Sequence, residues 1–165
     1  MKSFLALITL SFLTLSLVAQ TYPEILSMKE RAEVIDNLLS DKVKTVLPDI
    51  MRREGIDMWL IISREYNEDP VIKTMLPATW LAARRRTILV VYDLGEKEGL
   101  ETLAVARYDV GETFKKAWDK EAQPDQWARL KEIIEERNPE KIGINISEIW
   151  QHADGLVVTD YEEMK

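Results

Sequence analysis

The chain has 165 residues, 46% hydrophobic and 31% charged, a balance that fits one globular domain and excludes a disordered chain. With 22 Lys and Arg against 29 Asp and Glu its formal charge is −7, and its one basic cluster, Arg84-Arg85-Arg86, is too short to make a nucleic-acid footprint. There is no cysteine, so disulfides, a thiol nucleophile and cysteine-ligated zinc are excluded and stability must come from a buried core.

Residues 1–19 place Lys2 before an uncharged run that ends at the small residue Ala19, the layout of a cleavable signal peptide. The competing reading is an uncleaved anchor, since the run comes near the ~18 residues of a spanning helix. A polar segment follows, without the basic cluster of a stop-transfer signal, which favours cleavage and export to a periplasm or the exterior. The mature domain is then 20–165, with a charge of 21 − 29 = −8.

Along 27–47, Val34/Ile35, Leu38/Leu39, Val43 and Val46/Leu47 recur at a helical period. Pro48 predicts a kink or a fresh helix, with Leu47 pushed out of helical geometry, and Gly55 predicts the stop. Residues 57–63 read as a strand, and a turn-rich stretch with Pro70 and Pro77 leads to a second, 87–92, apolar and β-branched enough to be buried on both faces. The loop 95–99 returns the chain as a hairpin into 101–106. Pro124 opens a helix to about Arg137, with Trp127, Leu130, Ile133 and Ile134 on one face. A strand at 142–146, a turn at Asp154-Gly155 and a last helix capped by Thr159 follow. That helix has barely begun at Lys165, which suggests a fragment of a longer protein. The order predicts an α/β architecture, three-layer-like, with a mixed sheet flanked by helices, because the hairpin adds an antiparallel pair.

The catalytic inventory is small. His152 is the single histidine and reads as a polar loop residue rather than a base. Signature motifs for nucleophilic, zinc or phosphate chemistry are missing. Glu65, Glu68 and Asp69 could hold a hard cation through oxygen ligands. The blander reading is an ion-paired loop in which Arg64 or the 84–86 run neutralises the acids and Asp69 starts a turn at Pro70. The five tryptophans read as core or rim packing, with Trp80 the one placed for exposure and recognition.

The stretches MRREGIDMWLIISREYNEDPV (51–71), RRRTILVVYD (84–93), EKIGINIS (140–147) and WQHADGLVVTDYEEM (150–164) resemble the N-terminal domain of exported Xaa-Pro aminopeptidase-like proteins of the creatinase/prolidase family, the pita-bread metallopeptidases. The resemblance spans about 26–165. It implies an α/β module that carries no catalytic residue and no metal ligand of its own. Two divalent metal ions would sit in a following C-terminal catalytic domain, the module's partner. It further implies homo-oligomer contacts, a peptide substrate for the full-length hydrolase, and a substrate-facing rim with Arg64, Glu65, Asp69, Trp80 and Arg84 as candidates. The loop after the first strand departs from that of the better-known creatinases and prolidases, which leaves the substrate class open. Two other readings stand beside it: an exported interaction module without an enzyme partner domain, and a small metal- or ligand-binding protein using Glu65, Glu68 and Asp69.

Overall fold

Ser27 opens the first helix in the computed structural model of the protein, which describes residues 24–165; the expected signal peptide lies outside the described residues. The Ser27 hydroxyl accepts from the Glu30 amide at 3.3 Å, and the Glu30 carboxylate accepts from the Ser27 amide at 2.8 Å. This reciprocal box satisfies two donors that a helix start leaves unpaired. Helix α1 (Met28–Asp41) runs through a π-helical turn (Lys42–Val46) into α2 (Leu47–Glu54). Contrary to expectation, Leu47 keeps helical angles, φ −65° and ψ −41°. The π turn explains this: the Leu47 amide reaches back to the Lys42 carbonyl, and the widened turn takes in Pro48, which has no amide to donate and a bulky ring. Gly55 then ends α2 in a left-handed cap at φ 61°.

The remaining elements are β1 (Met58–Arg64), the single turn α3 (Pro70–Lys73), β2 (Arg86–Asp93), β3 (Leu100–Ala104), β4 (Lys115–Lys116), α4 (Gln126–Arg137), β5 (Ile142–Ile144), a 3-10 turn (Gln151–Ala153) and α5 (Val158–Glu163). The strands form one sheet in the order β4-β3-β2-β1-β5. β2 pairs antiparallel with both β1 and β3, while β5 runs parallel to β1 and β4 to β3. The mixed α/β expectation is therefore met. Neither α3 nor β4 is foreseen: one is a single capped turn, the other two exposed lysines.

Side-chain alternation divides the core between the two faces of the sheet. Ile61, Leu89 and Val91 pack with Leu39, Val43, Leu47 and Met51 of the long helical segment. Leu60, Ile62, Ile88 and Val90 point the other way and pack with Leu130 and Ile133 of α4. Burial of each such aliphatic side chain contributes about 1.5–3 kcal/mol.

The strand directions also decide where function can sit. The loops that follow β1, β3, β4 and β5, and the loop that precedes β2, all emerge at one end of the sheet. Among the described residues the other end has the short links 55–57, 94–99 and 138–141 and receives the turn that leads into β4. One end is closed, the other is built of loops.

Candidate functional site

At the loop end, the segment after β1 meets the segment before α5. Asp69 caps α3, its Oδ1 accepting from the Ile72 amide at 2.7 Å. Its Oδ2 accepts from Asn145 Nδ2 at 3.0 Å, and Asn145 Oδ1 accepts from Trp59 Nε1 at 2.9 Å. This buried relay joins β1, α3 and the chain after β5. Gly155 closes on it so tightly that a Cβ there would lie 1.6 Å from Asp69 Oδ2. REYNEDP and HADGL, the stretches most specific to the family resemblance, are thus neighbours across a cleft of about 260 Å³.

The carboxylates of this loop are held by backbone amides, not by the arginines expected to neutralise them. Glu68 Oε1 accepts from the Tyr66 and Ala83 amides at 2.9 and 2.8 Å. Glu65 Oε2 accepts from the Arg85 amide at 3.0 Å, and the Glu65 amide donates to the Arg85 carbonyl. Tyr66 and Arg85 are left-handed non-glycines, φ 67° and 53°. Each costs about 1 kcal/mol or more and persists because these bonds over-determine the turn.

The arginines go elsewhere. Arg64 Nη2 donates to Asp160 Oδ1 at 2.6 Å, and Arg86 Nη2 reaches the same oxygen at 3.2 Å. Asp160, in α5, is 0% exposed. Its hydrogen bond and charge push the Arg64 guanidinium further up from its already high value. Thr159, expected as the helix cap, instead accepts from Arg64 Nη2 at 3.0 Å, while Val157 occupies the cap position. The pairing of β1 and β2 puts Arg64 directly opposite Arg86, and Asp160 separates two like charges that would otherwise repel.

A second cleft, also about 260 Å³, opens along the loop end on the β2–β3 side, lined by Arg84, Arg85, Arg86, Arg107, Lys120 and Tyr108. The Arg84 guanidinium lies 4.4 Å from the centre of the Trp80 ring and 5.6 Å from that of Tyr108. Trp80 is half-buried against the core, contrary to the expectation that it is exposed. Its neighbour Leu81 is the exposed residue, at 95%. The five rim candidates therefore do not form one surface: Asp69 belongs to the first cleft, Arg84 to the second, and Arg64 to the Asp160 pair between the strands.

His152 is exposed and meets the edge of Trp150, with ring centres 5.6 Å apart. Among the described residues no group of three or more His, Asp and Glu side chains is placed to hold a metal. Glu65, Glu68 and Asp69 turn to separate backbone partners, which disfavours the cation-site reading. No family model, curated protein or solved structure matches the chain.

What the arrangement offers chemically is a stiff, apolar-tipped surface. Tyr66 at 85% exposure, Leu81, Ile149 at 96% and Trp150 at 61% all stand at the loop end. Exposed large apolar side chains at one end of the sheet are the chemistry of a docking face. Asp160 and Asn145 were missed by the sequence reading, since nothing local separates them from any other loop or helix-start Asp or Asn.

Proposed function

We propose that this chain is the non-catalytic N-terminal α/β domain of an exported Xaa-Pro aminopeptidase-like metallopeptidase, with the creatinase/prolidase N-terminal fold, and that it works by docking. The observation that carries this is the state of the loop acids. Asp69, Glu68 and Glu65 are each committed to backbone amides and hold a surface in shape, rather than being left to bind metal or activate water. The resemblance of REYNEDP and HADGL to that family supplies the rest. A catalytic domain carrying two divalent metal ions is the partner, the assembly is a homo-oligomer, and the loop end shapes peptide access to the metal-activated water.

The test uses the mature chain and the protein extended through whatever coding sequence follows Lys165. The mature chain should leave Xaa-Pro peptides intact with added manganese or zinc, and the extended protein should hydrolyse them in a metal-dependent way. Turnover by the mature chain alone would falsify the proposal. An extension without a metal-ligating Asp, His and Glu set would favour an exported interaction module that acts without an enzyme domain.

A further inference from the structure

The basic cleft runs against the charge of the molecule. The chain carries −7 overall, yet five of the side chains lining this cleft are Arg or Lys and none is Asp or Glu. Among the described residues, Arg84, Arg85, Arg107 and Lys120 form no salt bridge, and Arg86 shares Asp160 with Arg64. The Arg86 Nε is buried with no hydrogen-bond partner among the described residues. Gathering these cations costs mutual repulsion, offset by the Asp160 pair at Arg86 and the aromatic contacts of Arg84 and Arg86 but by no carboxylate lining the cleft.

The cations are also positioned. Arg84 packs over the Trp80 ring with Tyr108 beside both, Arg86 lies 4.8 Å from the centre of the Trp127 ring, and Arg85 sits in a left-handed backbone turn pinned on both sides by Glu65. Gln126 Nε2 ties the floor together by donating to the Arg86 and Val105 carbonyls. Stacked arginines lose less freedom on binding than free ones and present planar forks that match tetrahedral oxyanions. A strained non-glycine at the mouth of a cleft is a feature of ligand sites.

We propose that this cleft binds a small, multiply charged oxyanion of the phosphate type, held by Arg84, Arg85, Arg107 and Lys120. A volume of about 260 Å³ suits a diphosphate-sized group and not a length of acidic polypeptide. The predominance of arginine favours phosphate oxygens over scattered carboxylates. The inference is independent of the docking proposal, because it concerns a different cleft and a different readout.

The experiment is calorimetric titration of the purified mature chain with inorganic diphosphate, with ADP and with a hexaglutamate peptide at low salt. Diphosphate should bind with a dissociation constant below about 1 mM, weakening as ionic strength rises and screening sets in. Diphosphate and ADP distinguish a free oxyanion from an ester, and tighter binding of ADP would assign an ester whose base lies on Tyr108. Arg107→Glu and Lys120→Glu, both at exposed positions where folding is not at stake, should each weaken binding about tenfold or more, as expected for reversing a charge beside an anion. Lys131→Glu, the same charge change on the exposed face of α4 outside the cleft lining, should weaken binding clearly less than Arg107→Glu or Lys120→Glu, because it alters the long-range field but removes no contact to the anion. No heat at millimolar diphosphate, an equal loss in Lys131→Glu, or tighter binding of hexaglutamate than of diphosphate would each overturn the proposal.

Discussion

At the scale of single residues, two positions carry more than their chemistry suggests. Gly155 is required by contact: its missing Cβ would fall 1.6 Å from Asp69 Oδ2 and 2.6 Å from Asp69 Cβ. Asp69 cannot swing away without breaking its bonds to the Ile72 amide and Asn145. Gly155→Ala should therefore destabilise by about 2–4 kcal/mol in urea unfolding, the combined effect of overpacking and a lost cap. Asp160 is the second such position. Asp160→Asn leaves Arg64 and Arg86 opposed across β1 and β2 without their shared anion. Because both guanidiniums can partly regain water, we expect a loss of about 2–3 kcal/mol, below the value for a fully buried pair. A loss under half a kcal/mol would show that the triad is dispensable. Asp69 before Pro70 is legible in the sequence as a turn-starter. That the same carboxylate receives Asn145 and abuts Gly155 is not, since those partners arrive from a different strand and loop.

At the scale of elements, most helices and strands announce themselves through periodicity. The α4 face of Leu130 and Ile133, the two-sided burial of β2 and the β2–β3 hairpin follow directly from apolar spacing and the glycines at 95 and 99. Pro48 marks the fresh helix start as expected and misleads about Leu47 alone, because the proline rule assumes an α-helical ladder and the chain escapes it through a π turn. How α2 is fastened to the sheet is likewise a tertiary matter. Arg52 grips the end of β2 through Asp93 with two bonds of 2.7 and 2.8 Å. The Arg52 hydrogen bonds hold the Asp93 carboxyl below its usual value of 3.8. A depressed folded value means that this stabilisation is fully present above the ordinary carboxylate range and is lost as the pH falls through the lowered value. Arg52→Met should thus lower stability modestly at pH 7, because the guanidinium is partly solvated. The gap between variant and wild type should close below about pH 4 in denaturation series taken at stepped pH. A gap that stays constant down to pH 2 would show that the pair does not titrate with folding.

At the scale of the whole molecule, strand direction sorts the loops and so decides which side can work. The exposed Leu81 and Ile149 make negligible contact with the core, so Leu81→Ser and Ile149→Ser should alter unfolding free energy by no more than about 0.5 kcal/mol. If the loop end is the docking face, a variant carrying both substitutions should lose co-purification with the proposed catalytic domain or shift any oligomer to protomers on a sizing column. Retention of both would move the docking face elsewhere. The apolar tip and the basic cleft use different residues, so the two proposed functions are separable by substitutions that each leave the other's residues in place.

Composition and spacing by themselves determined the class of this protein: an acidic, cysteine-free α/β domain with a buried two-faced strand, a hairpin and amphipathic helices, because apolar period depends only on neighbours along the chain. They also marked REYNEDP and RRR as unusual, while HADGL stood out through the family resemblance. Which of those charges would pair was decided by the fold alone. Sequence-local reasoning assigned the arginines to the nearest acids, whereas antiparallel pairing set Arg64 opposite Arg86 and brought Asp160 from the last helix to bridge them. The nearby acids were then free to bind backbone amides, and Arg84, Arg85, Arg107 and Lys120 were left to face a cleft without an anion, since Coulomb energy depends on distance in space and strand order fixes that distance.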